Sequence, residues 1–406
     1  YDSSNSWAPY KIFNIGNSKP TNLSNYIKAI ENNLKLNAER KNLELAKQDK
    51  KISRSEFLPS ITISGDQTST TSTNRTNQSG ASLVDSNSDT ENKNISLEQV
   101  IFSGFKGLNT FKKSELETQK ANLILKKVEQ QTILDTAFAY FDLIYKSKSE
   151  TFNLLNVDLF ERQFEFDNAR LQKGQITLTD LAQSESSLAG AEAKNTKAIN
   201  DFTTSKLNYE NVIGKIDNID NLNKSLNPIS PLPQSLNEAI ELSINNNPNI
   251  IIAKIEYEQS EKDIKISKSD LAPTATLSVE RSNTEDFSST IDEKEQDTIK
   301  ATITWPFFSG GKNLAKVNKN QSEKIRKRLL LDNTIKSNET SISSAWSNYQ
   351  SSESILKSIR AQVNAAEIAN EGITEEYQRG SRSTLDFIQS TAILLDARIS
   401  LANSER

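Results

Sequence analysis

The sequence predicts an α+β fold in which one unit, made of long helices and a β-hairpin, occurs twice along the chain. Three observations support this prediction. A motif is repeated, two long stretches lack proline, and four short segments alternate apolar and polar residues. Each predicted element follows from one of these observations.

Composition excludes several classes of protein before any element is assigned. The 406 residues contain no histidine and no cysteine, so a Ser-His-Asp triad, a cysteine nucleophile and an ordinary zinc site are all ruled out. The 49 basic and 53 acidic residues nearly balance, which argues against a protein held to nucleic acid by phosphate contacts. We therefore expect a protein that is not an enzyme, with no cofactor, no metal site and no nucleic-acid partner.

The repeat begins with a motif at the end of a helical pattern. Residues 51–64 read KISRSEFLPSITIS and residues 265–278 read KISKSDLAPTATLS, with seven of fourteen positions identical at an offset of 214 residues. Most of the other positions exchange similar residues. We interpret the pair as an internal duplication, in which each copy passes from a helix through a proline into a strand.

Two later landmarks repeat at a shorter offset. The sequence FSG occurs at 102–104 and 308–310, and the turn motifs GQITLTD and GSRSTLD begin at Gly174 and Gly380, all at an offset of 206 residues. The 70-residue arm between the landmarks therefore has the same length in both copies. The first copy has its extra residues in the preceding hairpin, so a loop varies in length while the arm does not.

The arms are predicted to be continuous helices. Proline is absent between Gly107 and Pro228 and again after Pro306. A helix of this length extends about 100 Å at about 1.5 Å per residue. Apolar and small residues recur at alternating spacings of three and four, which is coiled-coil spacing. Two such seams are Ile342, Ala345, Tyr349, Ser352, Leu356, Ile359, Val363 and Ala366, and Leu181, Ser184, Leu188, Ala191, Asn195, Ala198, Phe202, Ser205 and Tyr209.

Four segments change to a period of two and are predicted strands. They are residues 60–70, 93–103, 274–284 and 297–307, which pair as two hairpins. The Ser/Thr/Asn-rich connection from Thr68 to Asn94 is predicted to be a solvated or disordered loop.

The strand pattern allows two interpretations. One apolar and one polar face suit a soluble sandwich, and they equally suit a membrane barrel with a wet lumen. Aromatic residues at the strand–helix junctions, as in an interfacial girdle, favour the barrel: Phe102, Trp305, Phe307 and Phe308. Because four strands cannot close a spanning barrel and lipid does not tolerate open edges, a membrane barrel would require further copies of the chain.

Taken in order, these motifs resemble the TolC-like outer-membrane efflux and secretion channels, from about Leu23 to Asn403. The resemblance rests on the duplicated helix–Pro–strand junction, on FSGGK after a strand ending in WPFF, and on ARLQKGQITLTD and YQRGSRSTLDF at the turns. It implies an α+β membrane protein with duplicated coiled-coil hairpins. It also implies a homotrimer with a 12-stranded β-barrel in the bacterial outer membrane and an α-helical tunnel in the periplasm.

On this resemblance we divide the chain into four parts. These are an N-terminal extension (1–22), a first repeat (23–213), a Pro-rich equatorial linker (214–234) and a second repeat (235–406). Each repeat contains a helix, a β-hairpin (about 60–103 or 274–307), a long helix, a tip turn (about 173–180 or 380–386) and a final helix.

The implied function is an exit channel of a tripartite efflux pump or a type I secretion system. The implied partners are a periplasmic adaptor, an inner-membrane transporter and the lipid bilayer. Two other functions stay open on the residues alone. One is a structural or adhesin-like coiled coil, and the other is a periplasmic adaptor without channel activity.

The resemblance also assigns roles at the turns, which form the periplasmic tip in the family. Asp386 corresponds to a carboxylate ring at the constriction, and Gln389 occupies a second constriction position that is usually acidic in the best-known member of the family. The resemblance implies that Arg382 and Tyr377 hold the gate closed by bonds to Thr179 and Asp180. Gly174 and Gly380 mark the turns expected to dock an adaptor. A structural alternative is that each glycine ends a helix and each aspartate caps the next one.

Overall fold

The computed structural model describes residues 30–31, 33–216, 219, 222, 232–288 and 291–406. The predicted N-terminal extension and most of the Pro-rich linker lie outside the described residues. The main helices are α1 (Leu34–Ser55), α2 (Lys106–Gln172), α3 (Leu178–Val212), α4 (Leu236–Asn246), α5 (Pro248–Ser269), α6 (Lys312–Gln378) and α7 (Thr384–Ser404). The strands are β1 (Ser60–Ser72), β2 (Ser86–Ser103), β3 (Thr274–Ser288) and β4 (Ile291–Thr304).

The described residues form two compact units. The first includes those within Tyr1–Glu39, Leu125–Asn246 and Lys336–Arg406, and the second includes those within Arg40–Ile124 and Asn247–Ile335. Both units draw on both repeats, so the four-part division stays a prediction. In the described part of the chain, no helix is both long enough and apolar enough to cross a bilayer.

The long helices have the predicted continuity. Both α2 and α6 contain 67 residues, which matches the equal arms of the two repeats. Each begins shortly after an FSG motif and ends shortly before a turn glycine. The continuity follows from the absence of proline and from the good helix formers Lys, Glu, Leu and Ala along both arms.

The second unit contains one antiparallel sheet with the strand order β1-β2-β3-β4. Strands occupy the four segments that alternate in sequence, but their ends differ. β1 continues to Ser72 and β2 begins at Ser86, so the prediction of a loop from Thr68 to Asn94 is wrong at both ends. Polar Thr, Ser and Asn side chains fit a solvated strand as well as a loop, and thirteen residue pairs of the β1–β2 ladder fix the longer strands. β4 ends at Thr304, just before Pro306, which has no N–H to donate.

One face of the sheet is apolar near the helices. Paired positions place Ile61 opposite Leu97, Leu97 opposite Val279 and Val279 opposite Ile299. The opposite face carries Thr62, Ser96, Glu280 and Thr298 at the intervening positions. The apolar face is exposed in the chain, with Ile299 78% exposed and Ile303 77% exposed. β1 and β4 each have one edge without a strand partner in the described sheet.

Four helices of the first unit meet in one apolar cluster. Its buried members are Phe160 of α2, Ala191 of α3, Tyr377 of α6 and Phe387 of α7. Leu188 and Ile388 pack against them. The helical hairpin formed by α2 and α3 and the one formed by α6 and α7 therefore share one core near the turns that join their helices.

The two predicted seams differ in burial. Every residue of the α3 seam is buried or half-buried, including the polar Ser184 and Ser205. On α6 only the C-terminal end of the seam is buried, at Val363 and Ala366. Ala345, Tyr349 and Ser352 are exposed, so the first half of that seam has no covering partner within the described chain.

Candidate functional site at the two interhelical turns

The two turns have the same backbone geometry. Gly174 and Gly380 adopt φ values of 68° and 80°, in the left-handed region that favours glycine. At the first turn the N–H of Gly174 donates to the carbonyl of Leu171 (2.9 Å), and the N–H of Gln175 donates to that of Arg170 (2.9 Å). Gly380 and Ser381 repeat both bonds, to Tyr377 (2.9 Å) and Glu376 (3.0 Å). Each glycine thus ends a long helix by a Schellman motif.

Each turn leads into a capping box. The carboxylate of Asp180 accepts from the Thr177 N–H (2.9 Å) and the Thr177 hydroxyl (2.7 Å), and the Thr177 oxygen accepts from the Asp180 N–H (3.2 Å). Ser383 and Asp386 make the same three bonds, at 3.2, 2.8 and 3.2 Å. These bonds hold the pKa of both aspartates below the ordinary value, mainly through the Thr177 N–H at Asp180 and the Ser383 hydroxyl at Asp386. The capping alternative therefore describes both aspartates correctly within one chain.

Tyr377 lies in the core behind the second turn. Its side chain is 1% exposed, and its ring stacks on Phe387 with the centroids 5.3 Å apart. The hydroxyl donates to the Asp167 carboxylate and accepts from Gln163 Nε2 at 2.7 Å. Burial raises the pKa of the Tyr377 phenol, and the bond to Asp167 raises it further, so the hydroxyl keeps its proton at neutral pH.

Asp167 is the centre of a buried polar group. It is fully buried on α2 and accepts hydrogen bonds from the Ser184 hydroxyl (2.5 Å) and Gln163 Nε2 (2.9 Å), besides that from Tyr377. We refer to Gln163, Asp167, Ser184 and Tyr377 as the Asp167 cluster. Because its members belong to α2, α3 and α6, one carboxylate connects both helical hairpins of the unit.

The predicted bonding of Tyr377 and Arg382 differs from that in the chain. Tyr377 binds Asp167 on α2 rather than Asp180, whose carboxylate is already held by its own cap. Arg382 is exposed, and its Nε donates to Glu376 Oε2 at 2.6 Å rather than to Thr179 or Asp180. A buried phenol reaches the carboxylate that packs beside it in the core, and an exposed arginine pairs with the nearest carboxylate on its own hairpin.

The other predicted site residues lie at the surface. Thr179 and Gln389 are exposed, and Asp386 is half-buried. Asp386 and Gln389 are three residues apart on α7, so they share one face of that helix. Gly174 and Gly380 are also exposed, and a Cβ added to either would meet no atom within 4 Å.

Three members of the Asp167 cluster, Gln163, Asp167 and Ser184, are not among the predicted site residues, although the sequence contains a signal for them. Toward the C-terminal end of α2, buried residues recur at the coiled-coil spacings of three and four, and most of them are polar: Asn153, Asn156, Phe160, Gln163 and Asp167. A polar seam of this kind predicts hydrogen bonds between helices. Within the described residues, no group of three or more acidic side chains is arranged to hold a metal ion.

The sequence matches the family described as outer membrane efflux protein over residues 25–215 and 239–406. It is 26% identical to the outer membrane efflux protein BepC of Brucella suis, over 93% of this chain and 80% of that protein. It is 18% identical to the alkaline protease secretion protein AprF of Pseudomonas aeruginosa, over 94% of this chain and 81% of that protein.

Two solved structures have the same fold. The Campylobacter jejuni CmeC outer membrane channel gives a TM-score of 0.82 at 16% identity, covering 95% of this chain and 82% of that one. A membrane protein from Pseudomonas aeruginosa also gives 0.82, at 15% identity, covering 98% of this chain and 91% of that one. At these identities the likeness concerns the fold alone.

Proposed function

The chain belongs to the outer membrane efflux protein family and is an outer-membrane channel protein rather than an enzyme, and we propose that three copies of it form one tunnel. The tunnel is the exit duct of a tripartite efflux pump or a type I secretion system. It receives substrate from a periplasmic adaptor and an inner-membrane transporter. Its periplasmic end is gated at the two interhelical turns.

The sheet supports the trimeric channel most directly. It has one exposed apolar face and two unpaired edges, at β1 and β4. Backbone groups at an open edge are not tolerated in lipid, because no water is present to satisfy them. Three sheets of four strands, joined edge to edge, give a closed barrel of twelve strands with the apolar face toward lipid.

Assembly and conductance test the proposal. The purified chain is expected to run as a heat-sensitive trimer in detergent and to give single-channel currents in a planar bilayer. A soluble monomer without conductance would support the structural coiled coil or the adaptor instead. The transport route is a separate question, since the named relatives include an efflux protein and a protease secretion protein. Reconstitution with candidate adaptors and pumps distinguishes the two routes.

The gate is proposed to depend on contacts between neighbouring copies as well as on the Asp167 cluster. Arg382 and Thr179 are exposed, so both are available to a neighbouring chain in the trimer. Hydrogen bonds that involve a charged group contribute roughly 1.5–3 kcal/mol each when sheltered, and less in lumen water. In the trimer, Arg382 would leave Glu376 and donate instead to Thr179 and Asp180 of the next copy. These bonds would hold the turns of neighbouring copies together.

Substitution tests the gate. The double variant Arg382→Ser, Tyr377→Phe is expected to raise bilayer conductance while the trimer still forms. Arg379→Ser is the matched control, because Arg379 is an exposed arginine of the same turn that pairs with Glu375. Conductance of the double variant equal to that of the control contradicts the role of Arg382 and Tyr377. Asp386→Ala is expected to change ion selectivity and sensitivity to divalent cations, since three carboxylates would line the opening.

The adaptor is proposed to dock at the turns around Gly174 and Gly380. Both glycines are exposed with free space around the Cβ position, so a larger side chain there projects outward. Gly380→Glu and Gly174→Glu are expected to abolish transport without loss of the trimer. Asn tolerates the left-handed conformation, which makes Gly380→Asn the control for backbone strain. Unchanged transport by both glutamate variants would count against docking at this surface.

A further inference from the structure

The two repeats contact each other inside one chain, in the second unit. β2 of the first repeat pairs antiparallel with β3 of the second, and Leu97 lies opposite Val279. Two ion pairs connect α2 to the end of α5. Lys106 Nζ lies 3.2 Å from Asp270 Oδ1, and Lys113 Nζ lies 2.6 Å from Asp263 Oδ1. This internal interface shows how a first repeat fits against a second one.

The residues at the equivalent positions of the other repeat lie on two other surfaces of the chain. The offset of 206 residues takes Lys106 and Lys113 to Lys312 and Lys319 on α6. The offset of 214 residues takes Asp270 and Asp263 to Glu56 and Asp49, at the end of α1. Each of these four residues has the same sign of charge as its counterpart in the other repeat. All four side chains are exposed, and none of them forms an ion pair with another of the described residues.

The glycines of the FSG motifs show the same relation. A Cβ on Gly104 would lie 2.6 Å from the Cβ of Ala272 and 3.0 Å from the carbonyl oxygen of Ser269, so the second repeat packs directly against this glycine. At the equivalent Gly310 no atom lies within 4 Å. The first copy of the motif is thus covered by the other repeat, whereas the second copy presents the same shape uncovered.

The strand register transfers in the same way. The pair Leu97–Val279 of the β2–β3 ladder corresponds to Ile303 on β4 and Gly65 on β1. Both strands are at edges of the described sheet. If β4 of one copy paired with β1 of another in this register, Lys300 on the polar face of β4 would lie diagonal to Asp66 of that β1. Opposite charges at diagonal positions attract each other.

We propose that the surface formed by β4 and the start of α6 binds β1 and the end of α1 of a second copy of this chain. β4 pairs antiparallel with β1 so that Ile303 lies opposite Gly65 of the next copy. Lys312 and Lys319 form ion pairs with Glu56 and Asp49 of that copy. The inference rests on the proposed trimer and adds its contact residues and its register.

Cysteine cross-linking tests the register, since the sequence contains no cysteine of its own. The double variant Ile303→Cys, Gly65→Cys is expected to give covalent dimers and trimers when the full-length protein is oxidised in outer membranes. A Cβ at Gly65 lies 3.8 Å from its nearest neighbour, the Asn92 carbonyl oxygen, so the substitution fits. Directly opposed strand residues have the Cα separation that a disulfide requires.

Two control variants make the result specific. Leu97→Cys, Val279→Cys is the internal counterpart and should form a disulfide within one chain, without covalent oligomers. Ile303→Cys, Gln67→Cys shifts the register by two residues and should give at least tenfold less covalent oligomer. Absence of intermolecular disulfides at Ile303–Gly65, while the internal pair forms, overturns the proposal. A stronger cross-link in the shifted pair overturns the register.

Charge reversal provides a second test that does not depend on disulfide geometry. Lys319→Glu is expected to lower the temperature at which the oligomer dissociates in detergent, and adding Asp49→Lys to the same chain should restore it. Failure of the second change to restore the temperature overturns the ion pair. The channel proposal can fail separately, because cross-linked trimers that carry no current would leave this interface intact.

Discussion

The two turns that join the long helices are alike in backbone and different in what holds them to the rest of the unit. Both have a left-handed glycine, a Schellman motif and a capping box. The residue three positions before the glycine is the half-buried Leu171 in the first turn and the buried Tyr377 in the second. Tyr377 reaches the Asp167 carboxylate on α2, whereas Leu171 has no polar group to donate.

The comparison separates local from tertiary causes. The turn geometry depends on a few neighbouring residues, so the duplication reproduced it in both copies. The bond to Asp167 depends on residues that are not repeated, because the position equivalent to Asp167 in the second copy is Ile373. Near the turns, the two hairpins are thus joined by an asymmetric polar contact, which only one copy of the repeat supplies.

The largest effect is expected from removal of the Asp167 carboxylate. Asp167→Ala leaves the donors of Ser184 and Tyr377 without an acceptor in the core, which should cost about 3 kcal/mol of folding free energy. Asp158→Ala is the control on the same helix. Asp158 forms an exposed ion pair with Arg162, and its loss should cost less than about 1 kcal/mol. Thermal loss of the helical circular dichroism signal checks both, and equal midpoints for the two variants would contradict the prediction.

A smaller difference is expected between two serines at equivalent positions of the repeats. Ser184→Ala removes a bond to a charged carboxylate and should cost about 1.5–3 kcal/mol. Ser390 donates to the Phe387 carbonyl (3.0 Å) and accepts from Asn370 (3.0 Å), so Ser390→Ala removes neutral bonds and should cost about 1 kcal/mol. The same melting experiment compares them. A larger loss for Ser390→Ala would show that the Asp167 cluster is not the stronger contact.

The caps should respond equally in the two turns. Thr177→Ala and Ser383→Ala each remove an N-cap hydroxyl from the same set of three bonds, and each should cost about 1 kcal/mol. Thr196→Ala is a suitable control, since Thr196 donates only to a carbonyl of its own helix. A clear difference in midpoint between Thr177→Ala and Ser383→Ala would indicate that the surroundings, and not the cap, dominate one turn.

The smallest effect concerns acid pH. The folded-state pKa values of Asp180 and Asp386 are depressed, so their caps contribute stability above the unfolded value of about 3.9 and lose it as the pH falls through the lower, folded value. We expect no change from these groups near neutral pH and a decline below about pH 4. Melting midpoints of the parent and of the Asp180→Asn, Asp386→Asn variant should converge as the pH decreases. A constant difference down to pH 2 would contradict this assignment.

Much of the fold could be predicted because its signals are local. The change from a period of three and four to a period of two located the strands, and the absence of proline predicted helices as long as α2 and α6. The extent of β1 and β2 was underestimated, because Ser, Thr and Asn between Thr68 and Asn94 do not distinguish a solvated strand from a loop.

The site was harder to predict because it depends on packing between helices. The sequence indicated a left-handed glycine and a cap at each turn, which are local features. It did not indicate that the buried partner of Tyr377 would be Asp167, which lies seven residues before Gly174 and 210 residues from Tyr377. Spacing predicts which residues share a helix face, but it does not predict which facing residue they contact.

The equal length of α2 and α6 constrains how this protein can change in size. Deletion of one residue from a helix rotates everything beyond it by about 100° and shortens it by about 1.5 Å, which would turn the buried face of one hairpin away from the other. Removal of seven residues from one of these helices returns its buried face to the original direction. It leaves that helix about 10 Å shorter than the equivalent helix of the other repeat. The helices can therefore be shortened only by whole heptads, and by the same number of heptads in both repeats. A shorter form should lose seven residues from each of the two antiparallel helices of a hairpin, which makes fourteen residues per hairpin or a multiple of fourteen.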